Sequence, residues 1–234
     1  MDSGKFRRRR LLVIVTLLTI LCFLIFTHEP LVKVDPVVED SQSAISGQTI
    51  LAKYALNKLE IKDHALGMNY SRNQFGADWG SVNGCDTRNI ILNRDLFNIV
   101  TNEKCQIISG ILNDPYTGRQ ILFTRGTNTS SDIQIDHVVS LSNAWKTGAQ
   151  GLTYDIRVDL ANDPLELLAV DGVSNQIKGD QDASGWLPEN ENFRCQYVAR
   201  QVAVKQKYTL WVTRSEYNAI LNVLESCPNQ LLLS

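Results

Sequence analysis

The stretch IQIDHVVSLSNAW, residues 133–145, places an Asp-His pair inside a run with strand character. Ile133 and Ile135 alternate with polar residues and two valines follow the pair, a pattern that favours a buried strand. The chain has only three histidines, so Asp136-His137 is the first candidate for chemistry, with a hydrogen-bonded structural pair as the alternative. Neighbours in a regular strand point to opposite faces. The two side chains can therefore share a site only at a strand end or a bulge.

Residues around this stretch predict a mixed α+β fold. The β-rich runs 106–112 and 120–124 flank NDPYTGR, whose Asp-Pro and Gly predict a hairpin with a long turn. A short apolar strand is expected at 166–170, and a short helix within 174–182 that begins at Ser174 as its N-cap. Helical spacing predicts a helix at 45–59, and a capping box predicts one at 213–226. Further helices are expected at 89–100, 141–148 and 193–208, with a structured loop at 69–88.

The N-terminus combines a cationic flank with an uncharged apolar segment. KFRRRR precedes LLVIVTLLTILCFLIF, residues 11–26, an order typical of an export signal. The apolar run is longer than most cleavable signal cores and shorter than most spanning helices, and no small-x-small cleavage site follows closely. We favour an uncleaved anchor with the arginines in the cytoplasm, and a cleaved signal with secretion is the alternative.

These features predict four segments and an extracytoplasmic domain. Residues 1–10 form a cytoplasmic flank, 11–27 a signal anchor or signal peptide, 28–44 a linker rich in proline and acidic residues, and 45–234 the exported domain. The formal net charge is -2; leaving out residues 1–30, with five basic and two acidic residues, gives 18 basic against 23 acidic, or -5. An acidic domain argues against a dedicated DNA-binding protein.

Four cysteines lie outside the apolar segment, and an even number in an exported domain predicts two disulfides. Three pairings are compatible with the sequence, and proximity favours Cys85 with Cys105 and Cys195 with Cys227. No CxxC pair occurs, which argues against a cysteine-rich zinc site.

Asn175 and Lys178 fall in the helix that follows the second predicted strand. Folding back of that strand would bring Asn175 over the first strand, where its amide oxygen and Asp136 could ligate a hard divalent cation. A neutral His137 could take a proton from water, and the cation could stabilise the departing oxygen of a phosphodiester. Lys178 lies on the same helical face as Asn175 and could contact a phosphate.

The ordered series DHVVSL, NDPLELLAV and NQIKGD, followed by WLPEN and YVARQVAVKQKYTLWV, resembles the HNH endonucleases of the ββα-metal (His-Me finger) fold. GCDTRNIILNRDL and DPYTG upstream are similar to a branch of exported bacterial HNH-family proteins. The resemblance covers roughly residues 65–215 and implies an HNH core within a mostly helical domain.

The resemblance implies a role for each matching residue. His137 matches the general base, Asp136 and Asn175 the metal ligands, and Lys178 a basic position after the second ligand. The middle position of the motif, commonly asparagine, is Glu166 here, although Asn162 lies four residues earlier. Arg88 is a substrate contact by analogy alone. The expected metal is Mg²⁺, with Mn²⁺ as the alternative.

The leading functional hypothesis is therefore a metal-dependent endonuclease that cuts DNA, and RNA as a second substrate, with little sequence preference. Its partners would be nucleic acid and, through residues 11–27, the membrane; no protein partner is predicted. A catalytically inactive surface binding module that keeps the HNH scaffold is the main alternative. A serine hydrolase using Ser140 or Ser142 is a third, although the chain lacks a GxSxG elbow.

Overall fold

The computed structural model describes residues 50–126 and 129–233, which contain three small antiparallel sheets among helices. The first sheet pairs β1 with β2, the second has the order β3-β4-β5, and the third pairs β6 with β7. The strands are β1 Ser81–Val82, β2 Cys85–Asp86, β3 Leu96–Thr101, β4 Ile107–Asn113, β5 Gln120–Thr124, β6 Ile133–His137 and β7 Leu167–Asp171. The helices are α1 Ala52–Leu56, α2 Thr87–Asp95, α3 Leu141–Lys146, α4 Tyr154–Asn162, α5 Gly172–Lys178, α6 Glu191–Lys207 and α7 Arg214–Glu225.

The β6-β7 sheet is buried on both faces, between two hydrophobic cores. Leu168 and Val170 of β7 belong to the larger core, which includes residues of α1, α3, α6 and α7. Leu167 and Ala169 point the other way, into a smaller core with α2 and the β3-β4-β5 sheet. Because alternate residues serve different cores, β7 is apolar at almost every position.

α5 follows β7 without a loop, so β6, β7 and α5 form a strand–strand–helix unit. Asp171 ends β7 and caps α5, accepting a hydrogen bond from the Ser174 N–H at 2.7 Å. Gly172 opens the helix against the start of β6, where a Cβ would lie 2.1 Å from the Ser131 carbonyl oxygen. Only glycine allows so close an approach of the two backbones.

Several predicted elements are confirmed, while others need correction. The hairpin of β4 and β5 and both disulfides, Cys85–Cys105 and Cys195–Cys227, are present. The helix predicted at 89–100 is wrong beyond Asp95, because Leu96–Thr101 pairs with β4 as a strand. Ser174 does not cap α5, since Asp171 takes that position. In place of the helix predicted at 45–59, the described residues contain only Ala52–Leu56.

The predicted flank, signal anchor and linker, residues 1–44, lie outside the described residues. Among residues 50–126 and 129–233, no helix is both long and apolar enough to cross a membrane.

Candidate active site

His137 is the last residue of β6, so the Asp-His pair lies at a strand end as the sequence required. Its Nε2 lies 3.0 Å from the carbonyl oxygen of Ala161 in α4, and its ring stacks on Trp79 with centroids 5.7 Å apart and planes within 6°. A carbonyl oxygen can only accept, so Nε2 carries the hydrogen and a neutral ring has its lone pair on Nδ1. Two contacts from distant parts of the chain thus fix both the tautomer and the plane of the ring.

The surroundings of His137 favour the neutral imidazole. Burial, together with the positive charge of Arg72, lowers the pKa of His137 to about 3. Desolvation disfavours the charged form, and a nearby cation acts in the same direction. The ring is therefore neutral near pH 7. The same shift makes it a weaker proton acceptor than a free imidazole, and an anionic phosphate in the cavity would act in the opposite direction.

Asp136 points away from His137 into a buried cluster. Its Oδ1 accepts a hydrogen bond from Lys178 Nζ at 2.8 Å, and its Oδ2 accepts one from the Tyr116 hydroxyl. The side chain is 6% exposed. Burial raises the pKa of Asp136, although Lys178 and Tyr116 oppose the shift. Both carboxylate oxygens are thus already in use within the protein.

Lys178 lies beneath the site rather than at its surface. The residue is 0% exposed, and Nζ also donates to the main-chain oxygen of His137 at 2.8 Å. The ammonium therefore ties the end of α5 to the end of β6. This placement offers no atom of Lys178 to an external phosphate, so we do not carry that predicted role into the proposed function.

Asn175 is oriented by a hydrogen bond to β6. Its Nδ2 donates to Gln134 Oε1 at 2.9 Å, which fixes the amide and leaves Oδ1 for another partner. A cavity of about 280 Å³ brings Asn175 together with Asp136 and His137. The complete lining is Tyr70, Arg72, Ile135, Asp136, His137, Ser140, Leu141, Asn175 and Gly179.

The predicted divalent cation fits this cavity only in part. Asn175 Oδ1 is a suitable oxygen ligand, whereas each oxygen of Asp136 already accepts a hydrogen bond, from Lys178 and from Tyr116, which weakens it as a ligand. Within the described part of the chain, no group of three or more His, Cys, Asp and Glu side chains could hold a metal ion. Of the two predicted ligands, only Asn175 is placed to hold a cation without rearrangement.

Glu166 and Asn162, the two candidates for the middle of the motif, support the backbone around the site. Glu166 is 0% exposed, accepts a hydrogen bond from the Val139 N–H at 3.3 Å, and has its pKa raised well above the usual range by burial. Asn162 Oδ1 accepts from the Gly80 N–H at 2.7 Å and the Thr87 hydroxyl at 2.9 Å. Asn162 thus joins the end of α4 to the segment before α2.

Arg88 donates to the main-chain oxygens of Ser130 and Ile133 at 3.1 and 3.0 Å, so its guanidinium anchors α2 to the start of β6. We assign Arg88 this positioning role rather than a substrate contact. The two candidate serines have partners of their own. Ser140 Oγ caps α3, and Ser142 Oγ donates to Asp180 at 3.2 Å.

Several residues of the site were not predicted from the sequence. Tyr116 belongs to the DPYTG turn, Trp79 and Arg72 to the predicted structured loop, and Ala161 contributes only its main-chain oxygen. A main-chain contact leaves no trace in residue type. Tyr116, Trp79 and Arg72 lie in turn-rich segments, where no local pattern indicates a partner distant in the sequence.

Comparison with known proteins gives two matches. Residues 86–223, more than half of the chain, match the family described as GmrSD restriction endonucleases, C-terminal domain. An uncharacterized secreted protein from Arthroderma benhamiae is 36% identical over 179 residues, which cover 75% of this chain and 84% of the relative. No solved structure matches. The family is nuclease-like, and on the extent of both matches the chain belongs to the family of the GmrSD restriction endonuclease C-terminal domain.

Proposed function

We propose that this protein is an HNH-type endonuclease that hydrolyses phosphodiester bonds of DNA, and of RNA as a second substrate, with little sequence preference. The observation that carries the proposal is the neutral, oriented His137 on a cavity that also contains Asn175 and the Arg72 side chain. Family membership supports the nuclease class. HNH type and relationship to an exported bacterial branch remain predictions from the sequence motifs.

In this proposal His137 is the general base. Its Nε2–H is held by Ala161, so Nδ1 is the nitrogen that takes a proton from the attacking water. The water oxygen bonds to phosphorus as the bond from phosphorus to the leaving oxygen breaks. The stacked Trp79 keeps the ring plane fixed while the imidazole becomes charged. Lys178 and Asp136 act from below, by fixing the main chain at His137.

We further propose that the reaction requires a divalent cation, Mg²⁺ or alternatively Mn²⁺, held by Asn175 Oδ1 and water. Such a cation, when bound, would supply charge stabilisation for the departing oxygen. The orientation of the Asn175 amide by Gln134 supports this role. Because Asp136 is already bonded to Lys178 and Tyr116, we place it outside the ligand set.

The site of action that we propose is outside the cytoplasmic membrane, with the chain anchored through residues 11–27 or released. Two disulfides support this location, because such bonds persist in oxidising compartments. The relative from Arthroderma benhamiae is described as a secreted protein, which supports the same location.

The decisive experiment is plasmid nicking by the purified full-length chain with Mg²⁺, with Mn²⁺ and with EDTA. We expect cleavage with a metal ion and none with EDTA. His137→Ala should lower the rate by about 10²- to 10⁴-fold, the usual contribution of a general base. His64→Ala is the matched control and should cleave as wild type. Equal cleavage by both variants would exclude His137 as the base.

A second candidate function is that of a binding module that keeps the nuclease scaffold without activity. The commitment of Asp136 to Lys178 and Tyr116 favours it, as does the lack of a metal-binding group of three His, Cys, Asp or Glu side chains in the described residues. It predicts that the wild-type chain binds nucleic acid or another partner but nicks no plasmid with any divalent ion.

A further inference from the structure

The cavity beside His137 is bounded on one side by a segment from outside the strand–strand–helix unit. We call residues 65–76 the arm; it contains the short 3-10 helix Arg72–Phe75. Tyr70 and Arg72 of the arm line the cavity together with His137 and Asn175. The family match begins at residue 86, so the arm lies upstream of it.

Aromatic packing anchors the arm to the larger core. Phe75 is 0% exposed, and its ring lies 6.2 Å from that of Trp145 and 6.4 Å from that of Tyr70. The Trp145 indole also donates a hydrogen bond to the main-chain oxygen of Met68 at 3.2 Å. Contacts on both sides of Tyr70 thus hold the arm against α3.

A buried arginine fixes the part of the arm next to Arg72. Arg157 of α4 is 9% exposed, and its Nε donates to the main-chain oxygen of Gln74 at 2.8 Å. Its Nη2 donates to Gln74 Oε1 at 3.1 Å. The helix α4 therefore positions both the arm, through Arg157, and the ring of His137, through Ala161.

Arg72 differs from most other arginines because no residue in 50–126 or 129–233 accepts a hydrogen bond or ion pair from it; the pKa of its neighbour Tyr70 is raised, so that hydroxyl is neutral near pH 7 and does not balance the charge of Arg72. Partial burial lowers the pKa of Arg72, a cost that a bound anion would offset. Asp180, which also faces Tyr70, is paired with Lys146 at 3.0 Å. By contrast, main-chain oxygens accept hydrogen bonds from six other arginines: Arg88, Arg94, Arg125, Arg157, Arg194 and Arg200.

We propose that Arg72 binds the phosphate group presented to His137, with its guanidinium contacting two non-bridging oxygens and the Tyr70 hydroxyl beside it. The inference rests on the proposed function and deepens it by assigning the phosphate contact. A planar guanidinium matches two phosphate oxygens at once, which the ammonium of a lysine does not. Because the arm is anchored at Phe75 and Gln74, binding has to order only the Arg72 side chain and not the backbone that carries it.

The first test measures binding apart from cleavage. The full-length chain carrying His137→Ala is titrated with fluorescent duplex and single-stranded DNA over a range of KCl concentrations, with and without Arg72→Met. We expect Arg72→Met to weaken binding at least about tenfold and to reduce the slope of log K against log salt by about 0.9 for duplex or 0.7 for single strands, the loss of one phosphate contact. Arg119→Met, whose side chain is 73% exposed, is the matched control and should change neither quantity.

The second test keeps His137 and measures kcat and KM for cleavage separately. Arg72→Met should lower kcat/KM by about 100-fold, as does removal of a donor that stabilises developing charge. Arg72→Lys should recover part of this loss, because it keeps the charge but not the planar fork. Guanidinium ion in the buffer should rescue Arg72→Met, a response that a structural role would not give. Thermal unfolding should be the same for all three proteins.

The outcomes separate this inference from the proposed function. If the wild type cleaves and Arg72→Met binds and cleaves equally well, the inference is overturned and the function stands. If Arg72→Met weakens binding while no protein cleaves under any ion, the function is overturned and the phosphate contact stands. If the wild type binds no nucleic acid, both are overturned.

Discussion

Two basic side chains lie near the cavity in different surroundings, Arg72 in its lining and Lys178 buried beneath it. Lys178, in the strand–strand–helix unit, is 0% exposed and donates to Asp136 and to the His137 main chain. Arg72, in the arm, contacts the cavity and has no acceptor among the described residues. A basic side chain is available to a substrate only where the protein has not supplied its acceptors. Residue type and position beside a motif therefore do not identify the substrate-binding cation.

The same difference holds between Asp136 and Asn175. The carboxylate of Asp136 is satisfied on both oxygens inside the protein. The amide of Asn175 donates to Gln134, and its Oδ1 accepts no hydrogen bond within the described residues.

Among the variants that separate the two basic residues, Lys178→Met should lower the free energy of unfolding most. Removing one partner of a buried ion pair leaves Asp136 uncompensated, so the free energy of unfolding should fall by about 3–5 kcal/mol. Arg72→Met should change it by less than about 0.5 kcal/mol, as for a surface substitution. Urea unfolding of the two variants measures both values.

A double variant, Lys178→Met with Asp136→Leu, is the control for Lys178. It should regain much of the lost stability, because replacing both partners by apolar residues avoids the buried charge. A Lys178→Met protein that unfolds like wild type but binds DNA weakly would contradict the structural role and restore the phosphate contact predicted from the sequence.

A smaller effect is expected for Gly172→Ala at the junction of β7 and α5. Its Cβ would lie 2.1 Å from the Ser131 oxygen, so the backbone must shift, and we expect a loss of about 1–3 kcal/mol in the free energy of unfolding. Gly151→Ala is the matched control, since a Cβ there meets no atom within 4 Å. Equal stability of the two variants would show that α5 does not depend on this close approach.

The smallest effect on the cleavage rate is expected from a change of pH between 7 and 5. Since the pKa of His137 is lowered to about 3, its imidazole stays neutral over this range and cleavage should not fall through its protonation. In the unfolded chain the same ring takes a proton below about pH 6.5, so its contribution to stability is present above that pH. That contribution is lost as the pH falls from about 6.5 toward 3.

The neutral state of His137 can be checked by the nitrogen chemical shifts of labelled imidazoles. The signal of His137 is the one that is missing in His137→Ala. The shifts of the His137 ring should remain those of the neutral form with hydrogen on Nε2 at pH 5. A titration of this ring near pH 6.5, matched by an acid limb in the cleavage rate, would contradict the buried geometry.

Local pattern was sufficient for several elements of the fold. The turn residues between 106–112 and 120–124 predicted the hairpin, and spacing along the chain predicted both disulfides. Local pattern failed at Leu96–Thr101, where the helix predicted at 89–100 gives way to a strand that pairs with β4. Pairing between strands is a non-local interaction, and it overrides the weak preference of a short segment.

Residue patterns are enough to predict the Asp136-His137 pair at the end of a strand, the helix that carries Asn175 and the order of these elements along the chain. Which polar groups remain available at the cavity depends on how these elements pack. Burial committed Lys178 and Asp136 to each other, and packing of the arm brought in Arg72 from far along the chain. The physical reason is that the availability of a polar group depends on whether the fold supplies its partners, and those partners come from segments distant in sequence.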